Sequence, residues 1–267
     1  MAPHDHAQRY LTPDDVRLAA RNGSLVGSTA GMAKGFVQVN LVILPEAQAN
    51  GFLRFCQANP KPCPVLAVSE PGERQCDVLG KDLDIARDVP SYRIYRNGTF
   101  DGTLNDVSDV WRDDLVTFAI GCSFSFEHAL LQNGVPVRHI EEGRNVPMYK
   151  TSIPLRPAGG FSGNMVVSMR PFRADAAIRA VQITTRFPQT HGAPVHLGDP
   201  SLIGIQSLNS PDYGDAVSIA YHEIPVFWAC GVTPQQVLMD SGIEFAITHT
   251  PGHMLVTDIP ESQVALL

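Results

Sequence analysis

Residues 224–249 read IPVFWACGVTPQQVLMDSGIEFAITH, and this pattern is the strongest indication of the fold class. The first part, IPVFWAC, is an apolar run of strand length that ends at Cys230. In the part that follows, Thr233 stands where an N-cap belongs and Pro234 occupies the first position of a short helix. After a Ser-Gly stop, IEFAITH again has the composition of a strand. A succession of strand, helix and strand predicts an α/β fold, with a mixed sheet and flanking helices.

A similar arrangement occurs at residues 121–134, GCSFSFEHALLQNG. Ser123 is predicted to cap a helix that runs from Phe124 to Gln132, and Gly134 to end it. Cys122 then lies just outside the positive end of the helix, where free N–H groups favour a thiolate or a bound carboxylate. The segment is therefore a candidate anion site, although a free cysteine is more often a small buried apolar residue.

Prolines mark two candidate boundaries along the chain. We predict a discontinuous main α/β domain formed by residues 1–146 and 200–267. Residues 147–199 are predicted to form a smaller α+β domain inserted between its two parts. Within the main domain, helices are predicted at residues 12–22 and at about residues 110–120.

Composition excludes several classes of function. The chain has 267 residues and a formal charge of −7, with a pI near 5.7. Proteins that bind phosphate backbones concentrate Lys and Arg, so we expect no nucleic-acid partner. No apolar run reaches the roughly 18 residues of a membrane span, and residues 1–10 lack the features of a secretory leader. Five cysteines without a CxxC pair suggest neither a disulfide framework nor a zinc cage, so a cytoplasmic protein is expected.

Motifs for nucleotide cofactors are missing from the sequence. The glycine-rich stretch GSTAGMAKG, residues 27–35, matches neither GxxxxGK[ST] nor GxGxxG. We therefore expect no cofactor, and a small molecule as the partner. The sequence leaves a homo-oligomer open.

Eight motifs occur in the order TAGMAKGFVQVNLVILP, NPKPCPVL, YRIYRNG, WRDDLVTFAIGCSFSFE, VVSMRP, HGAPVH, PVFWACGVTPQ and ITHTPGHM. Together they resemble the bacterial hydro-lyase family related to D-glutamate cyclase, from about residue 15 to residue 258. The resemblance implies a two-domain α/β structure and dehydration of a small amino acid or its lactam. In the best-known branch of the family, D-glutamate closes to 5-oxo-D-proline with loss of water. The resemblance assigns no catalytic residue.

Closure of glutamate requires an attacking amine, a proton for the departing oxygen and stabilisation of an oxyanion. Arg170, at the end of a predicted buried strand, is the candidate for a bidentate carboxylate clamp; a structural ion pair is the alternative. Glu127 is a candidate general acid or base, or else a surface glutamate near a helix start. Cys122 and Ser123 are candidates for an oxyanion contact or a nucleophile.

Histidines and further polar residues complete the candidate site. His191 and His196 flank a loop, where one of them is a candidate acid or base. His249 and His253 have the spacing HxxxH, but the Pro-Gly pair between them breaks a helix, so no metal site is predicted. The remaining candidates are the catalytic Cys230 and the substrate-binding Lys34, Asn40 and Thr233.

Three other functions stay open at this stage. A cofactor-independent racemase or epimerase would use Cys122 and Cys230 as acid and base on opposite sides of a substrate carbon. A noncatalytic module would bind a small carboxylate without turning it over. A zinc hydrolase is a further alternative and would require a metal.

Overall fold

The computed structural model of the protein describes residues 12–266. Residues 1–10, on which the prediction about secretion partly depends, lie outside this part. The described chain forms two β-sheets and seven α-helical segments, so the predicted α/β class is confirmed. No helix within residues 12–266 is both long and apolar enough to cross a membrane.

The first sheet has seven strands within the described residues. These are β1 (Phe36–Pro45), β2 (Val65–Val68), β3 (Tyr92–Arg96), β4 (Thr99–Leu104), β5 (Leu115–Gly121), β10 (Phe245–His249) and β11 (Leu255–Pro260). Their order is β2-β5-β1-β10-β3-β4, and β11 also pairs with β1. Nine of the ten residues of β1 are buried, and neighbouring strands cover both of its edges. Its alternate residues belong to two different hydrophobic clusters, so both faces are covered, which is consistent with a mostly apolar sequence that only Gln38 and Asn40 interrupt.

The second sheet has four strands, in the order β6-β7-β9-β8. These are β6 (Met148–Pro154), β7 (Asn164–Arg173), β8 (His196–Leu197) and β9 (Glu223–Ala229). Strand β9 lies outside the predicted inserted domain of residues 147–199, yet it pairs with β7 inside that segment over seven residue pairs. The division into two domains stays a prediction.

Seven helices connect or cover the strands. They are α1 (Pro13–Arg21), α2 (Glu46–Ala58), α3 (Phe124–Gln132), α4 (Arg138–Glu141), α5 (Ala174–Thr185), α6 (Thr233–Asp240) and α7 (Glu261–Val264). The prediction for α1 is confirmed: Thr12 and Asp15 form a reciprocal capping box. The predicted caps of α3 and α6 differ from the structure. Ser123 makes no capping hydrogen bond, and Thr233 is the first residue of its helix rather than the cap.

Every pairing between described strands is antiparallel, whereas the alternation of strand and helix predicts a mixed sheet. The reason lies in the connections. Helix α6 leads from β9 in the second sheet to β10 in the first, and α3 lies between β5 in the first sheet and β6 in the second. A helix that passes between two sheets does not link parallel neighbours within one sheet.

The helix predicted at about residues 110–120 is wrong for most of its length. Residues 115–121 form β5, which pairs with β1 on one side and β2 on the other. All seven of its residues are buried. The run LVTFAIG lacks the alternation of a half-exposed strand, and a short apolar run of this kind does not distinguish a buried strand from a buried helix.

The two sheets share hydrophobic cores. One cluster joins Val39 and Leu41 of β1 with Phe172 of β7 and Trp228 of β9. A second cluster joins Phe118 of β5 with strands of the second sheet. The sheets are therefore packed together through their side chains, and this packing fixes the ends of β5, β7 and β9 relative to one another.

Candidate functional site

A cavity of about 900 Å³ opens between two walls of the molecule. One wall is the glycine-rich segment, residues 24–36, with Glu261 of α7 beside it. The other wall is one face of α3 together with residues 139–145. The side chains of the inner part are buried and several at the outer part are exposed, so the cavity is open to solvent on one side.

The glycine-rich wall is held in place by the side chain of Gln38 on β1. Its Oε1 accepts a hydrogen bond from Thr29 Oγ1 at 2.8 Å, and its Nε2 donates to the carbonyl oxygens of Thr29 and Met32. Gly31 and Gly35 have positive φ, which lets the segment turn back on itself twice within five residues. A buried amide thus fixes a loop that would otherwise lack regular hydrogen bonding.

A buried ion-pair cluster lies at the inner end of the cavity. Arg170 Nε donates to Glu127 Oε1 at 2.9 Å, and Arg170 Nη2 contacts the same oxygen. His139 Nε2 lies 3.2 Å from this oxygen, in an orientation that makes no hydrogen bond. The side chains of Arg170, Glu127 and His139 are 0%, 2% and 1% exposed. Glu127 and His139 line the cavity, whereas Arg170 supports Glu127 from behind.

Arg170 is enclosed by groups of the protein itself. Its Nη2 donates to Ser123 Oγ at 3.0 Å and its Nη1 to Ser168 Oγ at 3.1 Å. The guanidinium also lies over the rings of Phe126 and Trp228 at 5.3 and 5.4 Å. The carboxylate that Arg170 contacts is therefore that of Glu127, and the Ser123 hydroxyl serves this guanidinium. A direct contact of either residue with substrate stays a proposal.

The environment of Glu127 keeps it ionised. Burial by itself would raise the pKa of this carboxyl, but the adjacent His139 and Arg170 outweigh burial, and the pKa is lowered. Its second oxygen, Oε2, is buried and has no hydrogen-bond partner among residues 12–266. A buried carboxylate oxygen without a donor carries a large desolvation cost, so this atom is suited to receive a donor from a ligand.

Glu261 is the functional candidate that the sequence did not indicate. It lines the same cavity, and its Oε2 lies 3.2 Å from His128 Nδ1. Burial raises the pKa of Glu261 to about 8, and the charge of Glu127 adds to this although a backbone hydrogen bond at Gly35 lowers it. Burial also lowers the pKa of His128, assisted by the charge of Lys34. At neutral pH Glu261 is thus a neutral acid next to a neutral imidazole.

A glutamate in the first turn of a helix is ordinarily a surface residue, and Glu261 has that position in sequence. Little in the sequence marks it as a site residue: it follows Pro260 and stands four residues after a buried strand segment. Its burial comes from the glycine-rich wall, since its backbone N–H donates to Gly35 O at 2.9 Å. A contact between such distant parts of a chain leaves no local pattern.

Cys122 and Cys230 are brought together in one apolar cluster, which also contains Phe124 and Met254. Burial raises the pKa of both thiols. The pKa of Cys230 is raised to about 11, and that of Cys122 is raised further, in part because Cys230 lies nearby. Burial thus has a larger effect on the thiol pKa than the nearby helix N-terminus, and both groups are neutral thiols at neutral pH. Neither lines the cavity. Their roles in catalysis stay proposals.

Asn40 and Thr233 bind backbone at the strand ends. Asn40 Nδ2 donates to the carbonyl oxygens of Ile120 and Gly121 at 3.2 and 2.9 Å. Thr233 Oγ1 accepts from Val166 N–H and donates to Val166 O. Both side chains are buried, and neither lines the cavity. To bind substrate, as predicted, Asn40 or Thr233 would have to replace these hydrogen bonds to backbone with hydrogen bonds to the substrate.

The two loop histidines are placed differently. His191 is 1% exposed, has a φ of 83° and shares a 2.9 Å hydrogen bond through Nδ1 with Lys61 O. Burial lowers its pKa to about 4, with Lys61 and Arg170 contributing. His196 lies on β8, where its Nε2 is 2.7 Å from Asp199 O. Neither histidine lines the cavity, so the structure does not place them with Glu127.

Lys34 and His253 line the cavity, whereas His249 does not. Lys34 is exposed and is the lysine of the glycine-rich wall. His249 Nδ1 accepts from the Leu41 N–H at 3.0 Å, and burial lowers the pKa of His249 to about 3. Within residues 12–266, no three side chains of the His, Cys, Asp and Glu types are grouped as metal ligands.

Comparison with known proteins gives a consistent result. A family model described as D-glutamate cyclase matches residues 116–258. A protein of Bordetella petrii named "Putative hydro-lyase Bpet2233" is 62% identical over 98% of this chain and 99% of its own length. One of Methylobacterium sp., also named a "Putative hydro-lyase", is 60% identical over 99% of this chain and 98% of its own. A nitrogen repressor-like protein from Methanococcus jannaschii is a solved structure with 12% identity and a TM-score of 0.39, covering 90% of this chain and 96% of its own; a similarity this weak carries no argument.

Proposed function

This chain belongs to the D-glutamate cyclase family, and from that premise we propose that it is a hydro-lyase that closes D-glutamate to 5-oxo-D-proline and water. One observation carries the proposal. Two carboxyl groups on one cavity, those of Glu127 and Glu261, have pKa values displaced in opposite directions from the ordinary value. Such a pair provides an ionised group and a neutral acid at the same pH.

The reaction needs both groups. In D-glutamate at neutral pH the amine is an ammonium and the γ-carboxyl is a carboxylate. Two protons must leave the nitrogen, and both must depart with one γ-oxygen as water. The nitrogen forms a bond to the γ-carbon, and one carbon–oxygen bond breaks. No proton is gained or lost overall, so the site has only to move protons between two atoms of one molecule.

The cavity offers a partner for each charged part of this substrate. The free Oε2 of Glu127 would accept a hydrogen bond from the ammonium group. Lys34 would bind a substrate carboxylate, which is consistent with its predicted role. Glu261 would give its proton to the departing γ-oxygen and recover one from the amine, and the neutral His128, 3.2 Å from Glu261, would take the second proton from the amine and pass it to the same oxygen.

Positioning of the substrate would also contribute to the rate. D-Glutamate is a flexible chain, and its amine must be held against the γ-carbon for closure. Intramolecular closure that is well oriented removes several kcal/mol from the barrier. The buried Glu127, held by Arg170, gives the ammonium a fixed anchor at the closed end of the cavity.

The test is product analysis with purified protein. D-Glutamate, L-glutamate and 5-oxoproline are incubated separately, and the products are separated by chiral chromatography. We expect 5-oxo-D-proline from D-glutamate, and loss of at least about 100-fold of this activity in Glu261→Gln, the usual range for removal of a general acid. Absence of 5-oxoproline from both enantiomers, with no reverse reaction, would reject the proposal.

Glu46 offers a matched control for Glu261. Each follows a proline, begins a helix and donates its backbone N–H to a carbonyl oxygen, of Asp114 in one case and Gly35 in the other. Glu46 is exposed and does not line the cavity. Glu46→Gln should therefore retain wild-type activity, and an equal loss in both variants would contradict a chemical role for Glu261.

A further inference from the structure

The cavity is larger than the amino acid that the proposed reaction requires. D-Glutamate has roughly ten non-hydrogen atoms, which at about 30 Å³ each, the share of one water molecule in the liquid, occupy roughly 300 Å³. The cavity measures about 900 Å³. A substrate of this size would leave most of the cavity to water, and binding sites ordinarily bury most of their ligand's surface.

The part of the cavity that D-glutamate would not occupy is open to solvent and has partly apolar walls. Glu127 and His139 at the inner end are 2% and 1% exposed, whereas Val26 on the glycine-rich wall is 65% exposed. The cavity thus runs from a charged closed end to an open mouth. Its walls also carry apolar side chains, which are Leu25, Met32, Phe36, Phe124, Leu131 and Ile140. A surface of this kind stabilises a ligand part that is itself partly apolar.

Only one end of the substrate can extend toward the mouth. The amine and the γ-carbon must both lie within reach of Glu127 and Glu261 if ring closure is to occur there. The group attached to the γ-carbon that departs during closure is free of this requirement. It lies on the far side of the forming bond, so it is the part that a larger cavity would accommodate.

We infer that the site also accepts D-glutamate whose γ-carboxyl is joined to an amine as an amide, and that it releases this amine in place of water. The inference rests on the proposed function and widens its substrate class. The glutamyl nitrogen forms a bond to the γ-carbon, and the amide carbon–nitrogen bond breaks. Two protons leave the glutamyl nitrogen. A basic leaving amine takes both and departs as an ammonium, whereas a weakly basic aniline takes one and the other is released to solvent.

The side chains that serve the departing oxygen would also serve the amide. An amide nitrogen does not depart as an anion, so it needs a proton in the same step. Glu261 and His128 lie together on the cavity wall, 3.2 Å apart, and provide a proton donor to a ligand in the cavity. No further reactant is required.

The test uses D-γ-glutamyl-4-nitroanilide and the unmodified chain. Release of 4-nitroaniline is followed by its absorbance, and 5-oxo-D-proline is measured by chiral chromatography in the same samples. We expect equal amounts of the two products, and loss of both in Glu261→Gln. A sample without protein measures spontaneous closure. D-Glutamate is assayed in parallel.

Val26 and Val78 give a matched pair of variants for the mouth. Both are exposed valines, at 65% and 69%, and only Val26 lines the cavity. Val26→Trp should lower kcat/KM for the anilide by about tenfold or more, as expected when a side chain occupies space that a substrate group needs. The decrease in kcat/KM should be smaller for D-glutamate than for the anilide, and Val78→Trp, outside the cavity, should change neither activity by more than about twofold.

The outcomes separate this inference from the proposed function. Turnover of the anilide supports the inference, whether or not D-glutamate also reacts. Turnover of D-glutamate alone overturns the inference and leaves the proposed function standing. Absence of turnover with both substrates overturns both. Equal effects of Val26→Trp and Val78→Trp on the anilide would show that the mouth does not hold the leaving group.

Discussion

Replacement of Arg170 by Met tests the ion-pair cluster that holds Glu127. The guanidinium is fully buried, donates to Glu127 and two serines, and lies over two aromatic rings. Methionine keeps much of the packing against the rings but leaves the Glu127 carboxylate buried beside His139 alone. Loss of one partner of a buried pair ordinarily costs about 3–5 kcal/mol, and we expect a decrease of that size in the free energy of unfolding at pH 8.

The pH dependence of this loss has a defined sign. In the native protein the pKa of Glu127 is lowered, so its ionised form adds stability above the ordinary pKa, and this is lost as the pH falls through the lowered pKa. Without Arg170, only His139 opposes the effect of burial, and we expect the pKa of Glu127 to rise above its unfolded value. The folded variant is then most stable at acid pH and loses stability as the pH rises. The deficit of Arg170→Met should therefore be smaller at pH 5 than at pH 8.

A second substitution separates the effect of losing the Arg170 charge from the effect of losing its side-chain packing. In Arg170→Met with Glu127→Gln, neither member of the Arg170–Glu127 pair is left buried and charged without the other, so most of the lost stability should return, to within about 2 kcal/mol of the wild type. Urea unfolding followed by tryptophan fluorescence measures all three proteins, since Trp228 lies against the cluster. The reasoning is refuted if Arg170→Met costs less than about 1 kcal/mol, or if the second substitution adds to the loss.

Three further predictions concern other parts of the molecule. Activity toward D-glutamate should fall as the pH rises through about 8, where Glu261 loses its proton, and this limb of the pH–rate profile should be absent from the residual activity of Glu261→Gln. Gly121→Ala should lower the free energy of unfolding by about 1–3 kcal/mol in thermal or urea unfolding, because a Cβ there would overlap neighbouring backbone, while Gly27→Ala should change it by less than about 0.5 kcal/mol. Cys122 and Cys230 should resist alkylation in the native protein at pH 7.5 and react only after unfolding, as mass spectrometry can show; rapid labelling of either would contradict their burial as neutral thiols.

The sequence predicts the fold where the signal is local. The α/β class, the capping box of α1 and the helix after Cys122 depend on neighbouring residues, and the structure contains all three. The strand β5 depends on being paired on both sides, which the run LVTFAIG does not reveal. The division of strands between two sheets also depends on tertiary contacts, so the predicted mixed sheet differs from the observed antiparallel ones.

The candidate site shows the same limit. Arg170 and Glu127 were identifiable because a buried strand and a helix start are visible in sequence, and the structure joins their side chains at 2.9 Å. The predicted strand end at Arg170 is wrong, because β7 continues through Pro171 to Arg173 and pairs with β9 over these residues. Glu261 looks like Glu46 in its local sequence, and only the folded chain makes one buried and the other exposed. For Cys122 the sequence left two alternatives, an anion site at a helix end and a small buried apolar residue; in the structure burial is the larger effect and raises the pKa of the thiol.

Pairing of β1 with β11 joins Phe36 to Pro260, near the two ends of the described chain. This contact also brings Glu261 against the glycine-rich wall. During synthesis on the ribosome, the glycine-rich wall is therefore made early. Glu261, which lies beside this wall in the folded protein, is made only after β11. Contacts of such long range slow folding. A nascent chain that lacks β11 and α7 therefore has no complete cavity, and any dehydrating activity requires both elements to have been made.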